Sequence, residues 1–251
     1  MRITLATFAV MALTLVGCKE NKPANTKASS EISATGDTAS MGSGQKDWTA
    51  LFDGKDLNGW HAYNGEEPTQ WRVEDETLIF TPAENRKGSE NLVTDATYTD
   101  FELSLDYKIS EGGNSGVMWA VEENEAYHEP YITGPEVQIL DNERHPDAKA
   151  GKSHQSGALY DMIPPSSEVA KPAGEWNSMT FVVNHKTNTG SIDLNGTRVV
   201  DFPVKGEEWK SLVKKSKFAD WEHFAQTESG HIALQDHGHE VAFKNIKIKE
   251  L

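Results

Sequence analysis

The chain has 251 residues, 24 Lys and Arg against 39 Asp and Glu, a net charge of −15 and a single cysteine. The acid excess excludes a nucleic-acid partner, which requires a basic face against phosphates, and one Cys excludes both a disulfide framework and a Cys-based zinc site. With 37% hydrophobic residues, seven Trp and nine Phe, there is enough apolar material for a real core, so wholesale disorder is excluded too.

Arg2 and the apolar run from Ile3 to Val16 have the make-up of a signal-peptide h-region and are short for a membrane span. The run ends Leu15-Val16-Gly17-Cys18, which resembles the lipobox of bacterial lipoproteins. That resemblance implies that residues 1–17 are a signal peptide and that Cys18 carries a lipid. The expected location is then the bacterial cell envelope, periplasmic or outer-membrane, with the membrane as a partner through the anchor. Residues 18–46 are mostly Lys, Asn, Ser, Thr, Ala, Gly and Pro, with Ile32 and Met41 the only large apolar side chains after Cys18. They bury too little to offset the entropy of ordering and read as a flexible tether. One folded domain is expected over 47–251.

Within it the pattern is strands. Thr77–Phe80 is a short apolar run, and Phe101–Ile109 alternates apolar and polar residues without a break, the period of a half-buried strand. Val117–Val121, Val137–Leu140 and Met179–Val183 are further runs of strand length. Ser191–Leu194 and Thr197–Val200 flank Asn195-Gly196, the pair favoured in type I′ hairpin turns. Trp209, Leu212 and Val213, then Phe218, Trp221 and Phe224, recur at three- and four-residue spacings, predicting one or two short helices between 207 and 226. His231–Gln235 and Val241–Ile248 close the chain, and a parity change in the latter predicts a bulge near Lys244-Asn245. The sum is an all-β sandwich or jelly roll of two antiparallel sheets.

Four polar clusters could carry chemistry. Gly112-Gly113-Asn114-Ser115-Gly116, taken alone, reads first as a loose hairpin turn. In Glu136–Leu140, strand parity sends Val137 and Ile139 to the core and Glu136 and Gln138 to the opposite, solvent-facing surface, with Asp141 ending the strand. Tyr160 lies in a Pro-rich loop suited to stacking on a sugar ring or to packing under the loop. Gln235, His237 and His239 share one parity, with Asp236 on the other. No motif calls for a cofactor, and no His spacing is diagnostic of a metal. A divalent metal held by the histidines with Glu136 or Asp141 stays open. There is no Gly-x-Ser-x-Gly elbow and no phosphate loop. From spacing alone this is a polar cleft without an assigned reaction.

Several stretches, in this order, resemble the 3-keto-disaccharide hydrolase domain family: Leu51-Phe-Asp-Gly-Lys-Asp-Leu-Asn-Gly-Trp60, Gly113-Asn-Ser-Gly-Val117, Gly134-Pro-Glu-Val-Gln-Ile-Leu-Asp-Asn142, Gly157-Ala-Leu-Tyr-Asp161, Gly174-Glu-Trp-Asn177, Leu194-Asn-Gly196, Ser216-Lys-Phe218, His231-Ile-Ala-Leu-Gln-Asp-His-Gly238 and Phe243-Lys-Asn-Ile-Lys-Ile248. The resemblance implies a concanavalin-like jelly roll that cleaves glycosides oxidised to a ketone at C3. It implies C2 proton abstraction, β-elimination at C1 and hydration. His237 is the expected acid–base group, Glu136 the alternative, and Asp141 or Asp236 orients the partner. Asn114, Ser115, Gln138 and Gln235 are expected to hold the sugar, with Tyr160 or Trp119 stacked on its ring. A lectin-like module without catalysis and a conventional glycosidase on unoxidised sugar are the alternatives.

Overall fold

The computed structural model describes residues 47–65 and 67–251; the signal, lipidation and tether expectations for residues 1–46 lie outside it. The described residues form thirteen strands and one α-helix. In chain order the strands are β1 (Thr49–Ala50), β2 (Trp60–Ala62), β3 (Trp71–Glu74), β4 (Thr77–Phe80), β5 (Leu92–Tyr98), β6 (Phe101–Ile109) and β7 (Asn114–Val121). They continue with β8 (Glu136–Leu140), β9 (Asn177–Asn184), β10 (Thr189–Leu194), β11 (Thr197–Phe202), β12 (Gly230–Leu234) and β13 (Val241–Glu250). The larger sheet runs β11-β10-β9-β6-β13-β4-β3, with β1 also paired to β13. The smaller runs β2-β5-β12-β7-β8. All pairings are antiparallel, which makes a jelly roll of two sheets.

Strand parity builds the core. In β6 burial alternates strictly, with Phe101, Leu103, Leu105, Tyr107 and Ile109 inside. Facing them from the smaller sheet are Val117 and Trp119 of β7, Val137 and Ile139 of β8, and Ile232 and Leu234 of β12. Asn195 and Gly196 both take positive φ (51° and 79°), as the type I′ hairpin requires. The predicted bulge is present, with the β13–β6 register shifting between Lys244 and Lys247. Strands β2, β3 and β5 carry no strong alternation and were not expected from sequence. The predicted helical region holds one helix, α1 (Gly206–Lys214), followed by turns in which Phe218 stacks on Phe224 at 3.8 Å.

A second irregularity shapes the smaller sheet. Ala120 adopts φ +53° inside β7, and the β12 register shifts beside it. The main chain there comes so close to Gly230 that a Cβ would lie 2.4 Å from the Ala120 carbonyl carbon. Backbone cannot swing aside as a side chain can. Gly230→Ala is therefore expected to destabilise the domain by about 1–3 kcal/mol, measurable by urea unfolding of the purified protein.

Candidate active site

The outer face of the smaller sheet carries the site. Register places Gly116 of β7 opposite Gln138 of β8, and Met118 opposite Glu136, so Glu136 and Gln138 emerge on the face away from the core. The chain from Gly157 to Tyr160 then runs along the free side of β8. Gly157 N–H donates to Gln138 O (2.9 Å), Gln138 N–H to Ala158 O (3.1 Å) and Tyr160 N–H to Glu136 O (3.0 Å). This brings Tyr160 up as a wall. Lys217, Phe218 and Trp221, from the turns after α1, close the far side together with Tyr131. The result is a cavity of about 320 Å³ into which Asn114, Glu136, Gln138, Gln235 and His237 project.

Glu136 was expected on an open surface but is buried, because its cover comes from segments distant in sequence. Loss of water pushes its carboxyl up to about 8; Lys217 opposes the shift and Asp147 adds to it. At neutral pH the group is a carboxylic acid. Around it are amides with spare capacity. Gln138 Oε1 accepts from the Ile139 N–H (3.0 Å), while Asn114 Oδ1 and Gln235 Oε1 are buried without a partner among the described residues. Buried polar atoms of this kind suit sugar hydroxyls, which both donate and accept.

His237 sits at the mouth beside two further imidazoles. His237 and His239 lie nearly parallel with ring centroids 5.9 Å apart, and His145 meets both edge-on at 6.0 and 5.5 Å. Desolvation and then the neighbouring rings lower the pKa of His237 and of His145, which keeps both neutral near pH 7. One ligand atom from each of the three residues falls within 4.8 Å of the others, and His239 Nδ1 is buried without a partner among the described residues. Three imidazoles so placed fit a divalent cation by donor type and spacing. His145 carried no spacing signal in the sequence. Neither Glu136 nor Asp141 belongs to this group.

Four expected site residues stand elsewhere. Trp119 shares parity with Val117, so it enters the core and packs on Phe181 and Phe202 at 5.7 and 5.8 Å. Ser115 is buried one position out of phase with Asn114, and its hydroxyl donates to Gln235 O at 2.8 Å. Asp141 ends β8 as a turn anchor; burial would raise its pKa, but N–H donors from Gly112, Glu143 and Arg144 hold it below the ordinary carboxylate value. Asp236 pairs with Arg86 at 2.6 Å and accepts the Glu90 N–H. It lies behind His237 in a neighbouring cleft. Conversely, Tyr131, Lys217, Phe218 and Trp221 line the cavity although their chemistry was not singled out from sequence. Ser216-Lys-Phe218 was visible only as a motif.

A jelly roll with an acid, an imidazole and unpaired amides in one cavity on a sheet face has the make-up of a site for a small polyhydroxylated ligand. A family model for the 3-keto-alpha-glucoside-1,2-lyase-like domain matches residues 47–249, and the chain belongs to that family. It is 35% identical over 230 residues to a 3-keto-disaccharide hydrolase of Bacteroides thetaiotaomicron, across 81% of this chain and 78% of that protein. A crystal structure described as a candidate glycosyl hydrolase from Parabacteroides distasonis superposes with TM-score 0.76 at 33% identity, covering 81% of this chain and 94% of that one. An endo-β-1,3(4)-glucanase of glycoside hydrolase family 16, at TM-score 0.50 and 11% identity over 81% of this chain and 91% of its own, shares the fold alone. The chain is an enzyme of the carbohydrate-cleaving class.

Proposed function

We propose that this enzyme cleaves 3-keto-glycosides, including 3-keto-disaccharides, by elimination followed by hydration. The observation that carries the reading is a protonated buried carboxyl, Glu136, and a neutral imidazole, His237, lining one cavity. Two titrating groups pushed apart in this way serve as an acid and a base at the same pH.

A ketone at C3 acidifies the C2–H. His237 takes that proton, and the electron pair moves into a C2–C3 enolate whose oxygen is stabilised by the amides of Gln138, Asn114 or Gln235. The enolate then re-forms the C3 carbonyl, the C1–C2 double bond forms and the C1–O bond breaks. Glu136 protonates the departing oxygen. Glu136, now a carboxylate, takes a proton from the water that adds at C1 and His237 returns its proton to C2, which restores both groups and makes the overall change a hydrolysis. Tyr160 and Trp221 supply apolar ring faces for the sugar. A lipid anchor on Cys18 would hold this chemistry in the cell envelope, a part of the proposal that rests on the Leu15–Cys18 motif.

The three-imidazole cluster favours one variant of this scheme, in which His237 joins His145 and His239 as a cation ligand. A bound cation would supply electrostatic stabilisation of the developing oxyanion, and Glu136, as the carboxylate, would take the C2 proton and deliver it to the departing oxygen. Incubating the purified domain with a plain disaccharide and its 3-keto form, with and without a chelator, tests both. Cleavage of the 3-keto form alone is expected. Cleavage of neither would overturn the proposal, and sugar binding without turnover would favour a lectin. Chelator-sensitive turnover restored by a divalent salt would move His237 from base to ligand.

A further inference from the structure

His154 lies outside the cavity, on a short 3₁₀ turn (Lys152–His154), and both of its ring nitrogens are engaged. Nδ1 is 2.9 Å from Asp147 Oδ1, and Nε2 is 2.8 Å from Asp161 Oδ1. Each carboxylate uses its other oxygen on a cavity wall. Asp147 Oδ2 accepts the Tyr160 hydroxyl at 3.0 Å, and Asp161 Oδ2 accepts the Lys217 backbone N–H at 2.6 Å. The Asp147 backbone N–H also donates to His145 Nδ1 at 3.2 Å. Tyr160 and Lys217 therefore each stand one hydrogen bond from a carboxylate that His154 holds, and His145 is bonded to the main chain of Asp147.

Two further observations bear on this bridge. Asp161 adopts φ +56°, a left-handed conformation uncommon for residues with a side chain, and its N–H is fixed by Ser153 O at 3.0 Å. In that conformation its two oxygens reach His154 and Lys217 together. The walls themselves also meet, with Lys217 Nζ 4.2 Å from the Tyr160 ring centroid. Lys217 and Asp147 are also the two charges acting on buried Glu136, in opposite directions.

We infer that His154 is a positioning residue: by bridging Asp147 and Asp161 it sets Tyr160 and the Lys217 segment against the reacting groups. As a role in turnover this rests on the 3-keto-glycoside reading, but the mechanical link can be read without a substrate. Hydrogen exchange of the segment around Lys217 and steady-state kinetics on a 3-keto-disaccharide are measured for wild type and His154→Ala, each with and without added imidazole. His154→Gln, which keeps reach and polarity, is run in parallel in case the alanine variant does not fold. The expected result is faster exchange around Lys217 and a kcat about 10- to 100-fold lower, with KM changed less than kcat. Imidazole, which refills the bridge, should reverse both effects in the alanine variant. Unchanged exchange and a kcat within about twofold of wild type would overturn the inference. So would a loss that imidazole leaves untouched, since that marks general structural damage. A wild type inactive on the keto sugar would sink the functional reading, while imidazole-reversible exchange would still support the bridge.

Discussion

Glu136→Gln is expected to lower kcat/KM for a 3-keto-glycoside by about 10²- to 10⁴-fold, the range for loss of a general acid or base. The amide matches the carboxyl in shape, so the cavity persists and the proton does not. The pH profile gives a sharper test. Burial pushes Glu136 up to about 8, so the wild type should lose activity as pH rises through that value and the acid ionises. In the variant that alkaline limb should vanish from the residual rate. Stability should move the other way. Between the ordinary carboxyl value of 4.5 and about 8, the unfolded chain releases this proton while the folded one keeps it. Wild-type stability therefore falls as pH rises across that window. Glutamine has no proton to release, so Glu136→Gln should be more stable than wild type at pH 9, with the difference shrinking toward pH 5. Thermal melts at both pH values would show it. A rate near that of wild type at pH 7 would remove Glu136 from the mechanism.

Gly116→Ala is expected to cost activity on the order of 10²-fold without any change of a reacting group. A Cβ at Gly116 would lie 1.9 Å from Glu136 Oε1 and 2.6 Å from its Cδ, an overlap that only displacement of the carboxyl relieves. Misplacement of a catalytic group by about 1 Å carries a penalty of that order. Because the intruding methyl meets a side chain and not backbone, the fold should survive, unlike the clash designed at Gly230. Moving the carboxyl also changes its contact with solvent, so the alkaline limb should shift from its wild-type position. Activity of Gly116→Ala within a factor of three of wild type would mean that Glu136 does not act from the place seen here.

These two residues also mark how far the sequence could be read. Strict alternation identified β6, the Asn195-Gly196 pair identified the β10–β11 hairpin, and parity in Glu136–Leu140 chose the faces of β8 correctly. Parity alone could not show that the outer face is roofed. The roof comes from Gly157–Tyr160 and Lys217–Trp221, whose approach depends on long-range packing. The same limit hid His145, which meets His237 and His239 only in three dimensions. Trp119 failed for a different reason: its ring suggested sugar stacking, although shared parity with Val117 already placed it inside. Ser115 was one residue out of phase with Asn114, and in a strand one residue is the whole difference between faces. Gly116 looked like turn material, whereas its role is to leave room for Glu136.

The segment from Gly157 to Tyr160 has a consequence beyond shaping the cavity. Strand β8 is the last in its sheet, and an uncovered last strand offers a row of free main-chain donors and acceptors to any other extended chain. Here Glu136 and Gln138 spend those groups on residues 157, 158 and 160. Catalytic architecture and resistance to self-association thus depend on the same few main-chain bonds, so a substitution that loosens this segment would give an enzyme that aggregates as well as one that is slow.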